Sequence, residues 1–184
     1  MTDLGRLIVL SGPSGVGKTT VVRHLRESAP QLWVSVSATT RFPRPGESDG
    51  INYLFVNDDQ FDRLVADDDL LEWAAYAGHR YGTPSGPVDA VRASGKPVLL
   101  EIEIEGARQV RQRVPDSTSV FLAPPSRDVL VARLTGRGTE SDEVVAERLA
   151  RADAELAAAE EFDHVVVNDD IEQVVSRLVA LAAR

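Results

Sequence analysis

The chain has no cysteine, which excludes disulfides, thiolate metal centres and a cysteine nucleophile together and is in keeping with a reducing compartment. It also lacks any run close to the roughly 20 apolar residues that a membrane-spanning helix needs. The opening stretch MTDLGRLIVLSG holds one short apolar run with no small-residue cleavage signal behind it. Neither secretion nor membrane insertion is expected, and a cytoplasmic location is. Histidine is scarce, and His24, His79 and His164 stand far apart without ligand spacing, so no histidine metal site is expected. Positive charge is in deficit as well: a formal net charge of −9 argues against a nucleic-acid surface, because a phosphate backbone is met by a basic field. A small anion needs only a local cluster of donors, and arginines gather in two short stretches, Arg41 to Arg44 and Arg127 to Arg151.

What is present is enough for one substantial core: 184 residues, 43% of them apolar. LIVLS (Leu7 to Ser11) is a continuous apolar run ending at a glycine-rich turn, the signature of a strand covered on both faces. A helix is predicted over Thr19 to Ser28, with Val22 and Leu25 on one face. PVLLEIEI (Pro97 to Ile104), SVFLA (Ser119 to Ala123) and HVVV (His164 to Val167) repeat the strand signature, each followed by a helical segment. Alternation of this kind predicts an α/β fold with a three-layer parallel sheet. Two stretches break the rhythm. In the first, YLFV (Tyr53 to Val56) and LLEWAAYAG (Leu70 to Gly78) read as short strands around a short helix near Asp58 to Val65, an α+β insertion. In the second the chain is helical and charged with a glycine-bearing break at Thr135 to Ser141, which predicts a hinged helical cover. The expected division of this single domain is a core of 1–36, 94–125 and 162–184, an insertion of 37–93 and a cover of 126–161. The last helix, Ile171 to Ala183, carries an apolar stripe for the sheet.

Gly12-Pro13-Ser14-Gly15-Val16-Gly17-Lys18-Thr19 satisfies G-x-x-x-x-G-K-[ST] between a predicted strand and a predicted helix, the context that makes it a phosphate-binding loop. Glycines let consecutive backbone N–H groups turn inward around phosphate oxygens, and the helix N-terminus adds its partial positive charge. Lys18 supplies a full charge to the β- and γ-phosphates of ATP, and Thr19 offers its hydroxyl to Mg²⁺, with Thr20 next in the helix. Glu101 and Glu103, at alternate positions of LLEIEI, are expected on one side of the strand near its C-terminal end, as candidates for the metal site. Carboxylates in a buried strand are expensive unless they meet a cation or donors, and an arginine partner is the alternative for either. Which of the two stands nearer the metal is open.

In SVSATTRFPRPGESDGINYLF (Ser35 to Phe55), a proline between Arg41 and Arg44 keeps the segment extended, so both guanidinium groups can approach one ligand. With these residues the sequence resembles the guanylate kinases, P-loop enzymes that phosphorylate GMP with ATP. The blocks in order are S-x-S-x-T-T-R-x-P-R-x-G-E, G-x-x-Y, EW-A with G-x-x-Y-G, the glutamate strand, A-P-P-S, L-x-x-R-G-T-E and V-N-D-D. They run from Leu7 to about Val179.

The resemblance implies a P-loop core, a GMP-binding insertion and a helical lid, with ATP and GMP as substrates, Mg²⁺ as cofactor, and neither nucleic acid nor membrane as partner. It implies that Ser37, Arg41, Arg44 and Tyr53 hold GMP, the arginines and tyrosine on its phosphate, where a planar guanidinium can bind two oxygens at once. Glu72 is implied as the carboxylate that reads guanine, with Tyr81, Thr83 and Glu101 as further GMP contacts. Threonine stands at 83 where the family often has serine, and keeps the hydroxyl. Arg133, Arg137 and Arg148, with Lys18 and Arg41, are implied as the cations on the phosphoryl group in flight, Arg133 and Arg137 sharing a helix face. Asn168 and Asp169 are implied at the edge of the adenine pocket. Arg127 and Arg151 read as surface ion pairs. Two other functions fit the same scaffold: a non-catalytic module that binds proteins, and a P-loop kinase for another small phosphorylated acceptor.

Overall fold

The computed structural model describes residues 4–135 and 142–183, with residues 135 and 142–148 described by backbone alone. Strand β1 (Leu7–Ser11) is buried along its whole length. It can be, because parallel strands take it on both edges: β7 (Val98–Glu101) on one side and β8 (Thr118–Ala123) on the other. β2 (Trp33–Val34) and β9 (His164–Val167) extend this sheet to the order β2-β7-β1-β8-β9, parallel throughout.

Alternation along β1 sorts the two helix layers. Ile8 and Leu10 face one side and join a cluster with Val21, Val22 and Leu25 of α1 (Lys18–Ser28) and Val174, Val175 and Leu178 of α7 (Ile171–Ala182). Leu7 and Val9 face the other, packing with Val88 of α3 (Ser85–Ala93) and Ala107 and Val110 of α4 (Ile104–Arg113). Period-two side chains between period-3.6 helices give the α/β/α sandwich that the sequence predicts. No helix among the described residues is long and apolar enough to cross a membrane.

A second sheet orders as β4 (Leu54–Phe55), β3 (Ala38–Thr39), β6 (His79–Pro84) and β5 (Leu70–Tyr76), with β3 and β4 parallel and the other pairs antiparallel. Its own small core joins Ala38 and Leu70 to Phe61 of α2 (Asp58–Ala66). α2 starts where Asn57 accepts from the Gln60 amide while the Gln60 side chain accepts from the Asn57 amide, a reciprocal cap. Arg80 on β6 reaches across to Asp58 and Asp62, tying the helix to the sheet. The sheet leans on the core through Gln109 of α4, whose amide oxygen accepts from Trp73 N at 3.1 Å and whose nitrogen donates to Trp73 O at 2.9 Å. α5 (Arg127–Thr135) and α6 (Asp142–Ala157) follow β8, and a 3₁₀ turn (Ala158–Glu161) leads into β9.

One sequence expectation is corrected here. The run Pro97 to Ile104 is not a single strand: β7 stops at Glu101, and Glu103 is the N-cap residue of α4 with extended backbone. The reason is the length of its partner, since β1 pairs with β7 only as far as Leu10 with Glu101 before it turns into the glycine loop. Glu101 and Glu103 are therefore not alternate residues on one strand face.

Candidate active site

Beyond β1 the chain runs through Gly12 to Gly17 and enters α1. Gly12 and Gly17 both have positive φ, 151° and 105°, and a Cβ at Gly12 would lie 2.4 Å from the Leu122 carbonyl oxygen, so a side chain is excluded on backbone and steric grounds alike. α1 has no side-chain cap and no acidic residue in its first turn. α7, by contrast, is capped by the Asp170 carboxylate on the amides of Glu172 and Gln173. An uncapped N-terminus leaves amide donors and the positive end of the helix dipole for an external anion.

The loop's back is fastened. Asn168 donates from Nδ2 to Val16 O at 2.8 Å, and Arg133 on α5 donates to the same carbonyl at 2.9 Å. Val16 itself is fully buried. These contacts put Asn168 against the loop backbone, while the Asp169 carboxylate accepts from the next amide, Asp170 N. Arg137 and the side chain of Arg148 lie outside the described residues.

A cavity of about 500 Å³ opens in front of the loop. Its floor carries Lys18, Thr19 and Thr20; its far wall carries Ser37, Arg41, Arg44, Tyr53 and Tyr81; Glu72, Glu101 and Glu103 lie between. Lys18 donates from Nζ to Gly12 O at 2.5 Å and stands 3.8 Å from Glu103. Thr19 Oγ1 donates to Glu101 Oε1 at 3.1 Å. So the two carboxylates part company: Glu101 meets the hydroxyl and Glu103 the ammonium. Burial pushes the Glu101 carboxyl upward, against the opposing pull of Lys18.

On the far wall Arg41 is held before any ligand arrives. Its guanidinium makes two 2.9 Å bonds to the Glu47 carboxylate and lies 5.3 Å from the Tyr53 ring centroid. The Glu47 bond raises the Arg41 pKa and lowers that of Glu47, so both stay ionised. The sequence reading contains Glu47 within the arginine block but gives it no role; the short spacing to Arg41 across a turn is the signal that could have found it. Tyr53 meets Tyr81 edge to face at 6.0 Å, and burial raises the Tyr53 phenol's pKa.

Glu72 is 5% exposed. Thr83, paired opposite it across β5 and β6, donates from Oγ1 to Glu72 Oε1 at 2.6 Å and is itself buried. Burial lifts the Glu72 carboxyl to about 7, with the Thr83 bond opposing. Its second oxygen lies over α4: a Cβ on Gly106 would fall 2.5 Å from Oε2. Gly106 and Gln109 are three apart and share a helix face, so one face of α4 both fastens the β5 edge and leaves room for the carboxylate. Nothing in the sequence alone links Gly106 to residue 72; only the approach of α4 to β5 does. Tyr76 and Ala74 also line the cavity and were not singled out by the sequence.

The arrangement sets an uncapped, lysine-bearing anion loop opposite a preorganised guanidinium and a buried acceptor carboxylate, across one cavity. A protein-family model described as guanylate kinase matches residues 4–183. A guanylate kinase of Thermobifida fusca is 61% identical over 97% of this chain and 91% of its own length. One of Frankia casuarinae is 61% identical over 98% of both chains. The crystal structure of guanylate kinase from Anaplasma phagocytophilum superposes with a TM-score of 0.80 at 32% identity, covering 99% of this chain and 86% of that one. With a family model spanning nearly the whole chain and relatives at this identity, the chain belongs to the guanylate kinase family.

Proposed function

We propose that the chain transfers the terminal phosphate of ATP to GMP, giving ADP and GDP, with residues 37–93 holding GMP and residues 126–161 closing over the donor. The observation that carries this most directly is the single cavity joining the uncapped phosphate loop to the Arg41 cluster and the buried Glu72. Phosphoryl transfer asks for two anions held in line and for cations where charge spreads, so no dedicated base is needed. Lys18 and the loop amides take the donor phosphates; Arg41, Arg44, Tyr53 and Tyr81 take the acceptor phosphate; Ser37 and Glu72 face the base, and Thr83, fully buried, acts on it through its bond to Glu72. Ionised Glu72 presents two acceptor oxygens to the N1–H and exocyclic amino donors of guanine, a pair that adenine does not offer. Arg137 and Arg148 are the cover's cations for the group in flight, Arg133 joins them only by leaving the Val16 carbonyl it donates to, and Asn168 and Asp169 border the donor base.

Mg²⁺ suits the oxygen pair formed by Thr19 and Glu101, with Glu103 held back on Lys18. Among the described residues no group of three or more His, Asp or Glu side chains could hold a metal. An ion held by Thr19 and Glu101 would take the rest of its shell from phosphate oxygens and water, and would neutralise phosphate charge. The substrates and the absence of cysteine go with action in the cytoplasm.

An acceptor screen tests the function: ADP release from ATP is expected with GMP, and at far lower rates with AMP, CMP or UMP, and to stop when EDTA removes divalent cation. No release with any acceptor would leave a binding module, and preference for another acceptor would remove the guanine assignment. Gly106→Ala is expected to raise KM for GMP on the order of 10- to 10²-fold by moving the Glu72 carboxylate, leaving KM for ATP unchanged. Steady-state kinetics in both substrates check this; an unchanged KM for GMP would mean that the helix gives way rather than Glu72.

A further inference from the structure

One amide of the phosphate loop already has an anionic partner. Ser14 N donates to Glu155 Oε2 at 2.8 Å, and Glu155 comes from α6, 141 residues along the chain. This is not a loose surface pair. The Glu155 side chain is only 12% exposed, and Ala152 and Ala158 on either side of it are buried. Ala158 sits in a cluster with Ile104 and Phe121, which seats this end of the cover on the core. The other carboxylate oxygen accepts from Arg151 Nε at 3.0 Å. Arg151 in turn lies over the ring of Tyr76, 4.6 Å from its centroid, and Tyr76 lines the cavity and touches Tyr81 edge to face.

A carboxylate oxygen at a loop amide stands where a donor phosphate oxygen would accept the same hydrogen. Two anions cannot share that donor, so one must leave. We propose that Glu155 is a placeholder ligand of the phosphate loop: it satisfies the Ser14 amide and docks α6 until the donor polyphosphate displaces it. The docked arrangement lowers apparent affinity for the polyphosphate by the fraction of molecules that hold it. Glu155 is thus a positioning residue that sets donor affinity, and its action rests on the phosphate-loop reading above.

The test is calorimetric titration of wild type, Glu155→Gln and Glu155→Ala with ATP, with sodium tripolyphosphate and with GMP. Removing the competing carboxylate is expected to tighten ATP and tripolyphosphate binding about 5- to 10-fold in the alanine variant and less in the near-isosteric glutamine variant, with GMP binding unchanged. In turnover, KM for ATP falls while KM for GMP holds. A residue that merely braces the cover would give unchanged or weaker binding of both polyphosphates, and that result overturns the proposal. If the alanine variant does not fold, the glutamine variant decides by the same sign. Binding of ATP by the wild type tests the loop itself, whereas the comparison among the three proteins tests Glu155.

Discussion

Replacing Lys18 by alanine is expected to lower kcat on the order of 10³-fold, about 4 kcal/mol of transition-state stabilisation, while the protein stays folded. The magnitude follows from where the ammonium sits. It is nearly buried, anchored to the Gly12 carbonyl and within reach of Glu103. In that low-dielectric corner a fixed positive charge on a β–γ phosphate is worth far more than the same charge in water. The folding cost is small by comparison, since what is lost is the bond to the Gly12 carbonyl, a long contact to Pro13 O and an ion pair to the half-exposed Glu103, together about 1–2 kcal/mol. Lys18→Arg is not a rescue, because a broad planar guanidinium does not fit a position shaped by a compact ammonium. A coupled assay for ADP, run beside thermal unfolding, separates the two effects. A well-folded alanine variant with near-normal turnover would contradict the assignment of the loop.

Glu72→Gln is expected to weaken the kcat/KM preference for GMP over AMP on the order of 10²-fold, the worth of a hydrogen bond to a buried charge. An amide turns one acceptor into a donor and sets it against a guanine N–H. Unchanged discrimination between GMP and AMP would take Glu72 out of base recognition.

The raised pKa adds a second, independent readout. On the proposal that Glu72 reads guanine, GMP needs the ionised carboxylate, and with a value of about 7 the affinity for GMP is expected to be lost as pH falls below 7, near tenfold per unit. The stability effect has the opposite sense. A carboxyl whose folded value lies above its unfolded value of 4.5 binds more protons folded than unfolded between 4.5 and about 7, so ionised Glu72 costs stability as pH rises through that window. The full cost, on the order of 3 kcal/mol, is present above about pH 7 and absent below 4.5. Glu72→Gln is therefore expected to melt higher than wild type at pH 8, with the gap closing near pH 4.5. Equal melting at pH 8 would mean that the folded protein ionises Glu72 without penalty.

The core of the fold was open to reading in the chain because its determinants are local and periodic. LIVLS admits little but a strand buried on both faces, and the glycine-lysine loop after it admits little but an anion. The α2 cap at Asn57 and the stripe of α7 are equally local. Reading failed where a long-range pairing sets the outcome. β2 and β3 are two residues each, too short for any period to register, and exist because β7 and β6 offer edges to them. Glu103 looked like a strand residue because its neighbours alternate, yet the end of β1 terminates the pairing two residues earlier.

The sequence by itself determined which chemistry the protein has: the loop that takes phosphate, the arginines, and a glutamate beside the insertion's aromatic residues. Tertiary structure alone decided what each group faces. Glu101 meets Thr19 and Glu103 meets Lys18. Glu72 has its room at Gly106, and Glu155 reaches Ser14 across 141 residues. Motifs encode residue types at fixed short spacing, whereas burial, pKa and partner depend on elements brought together by the shared core, and no local pattern carries that information.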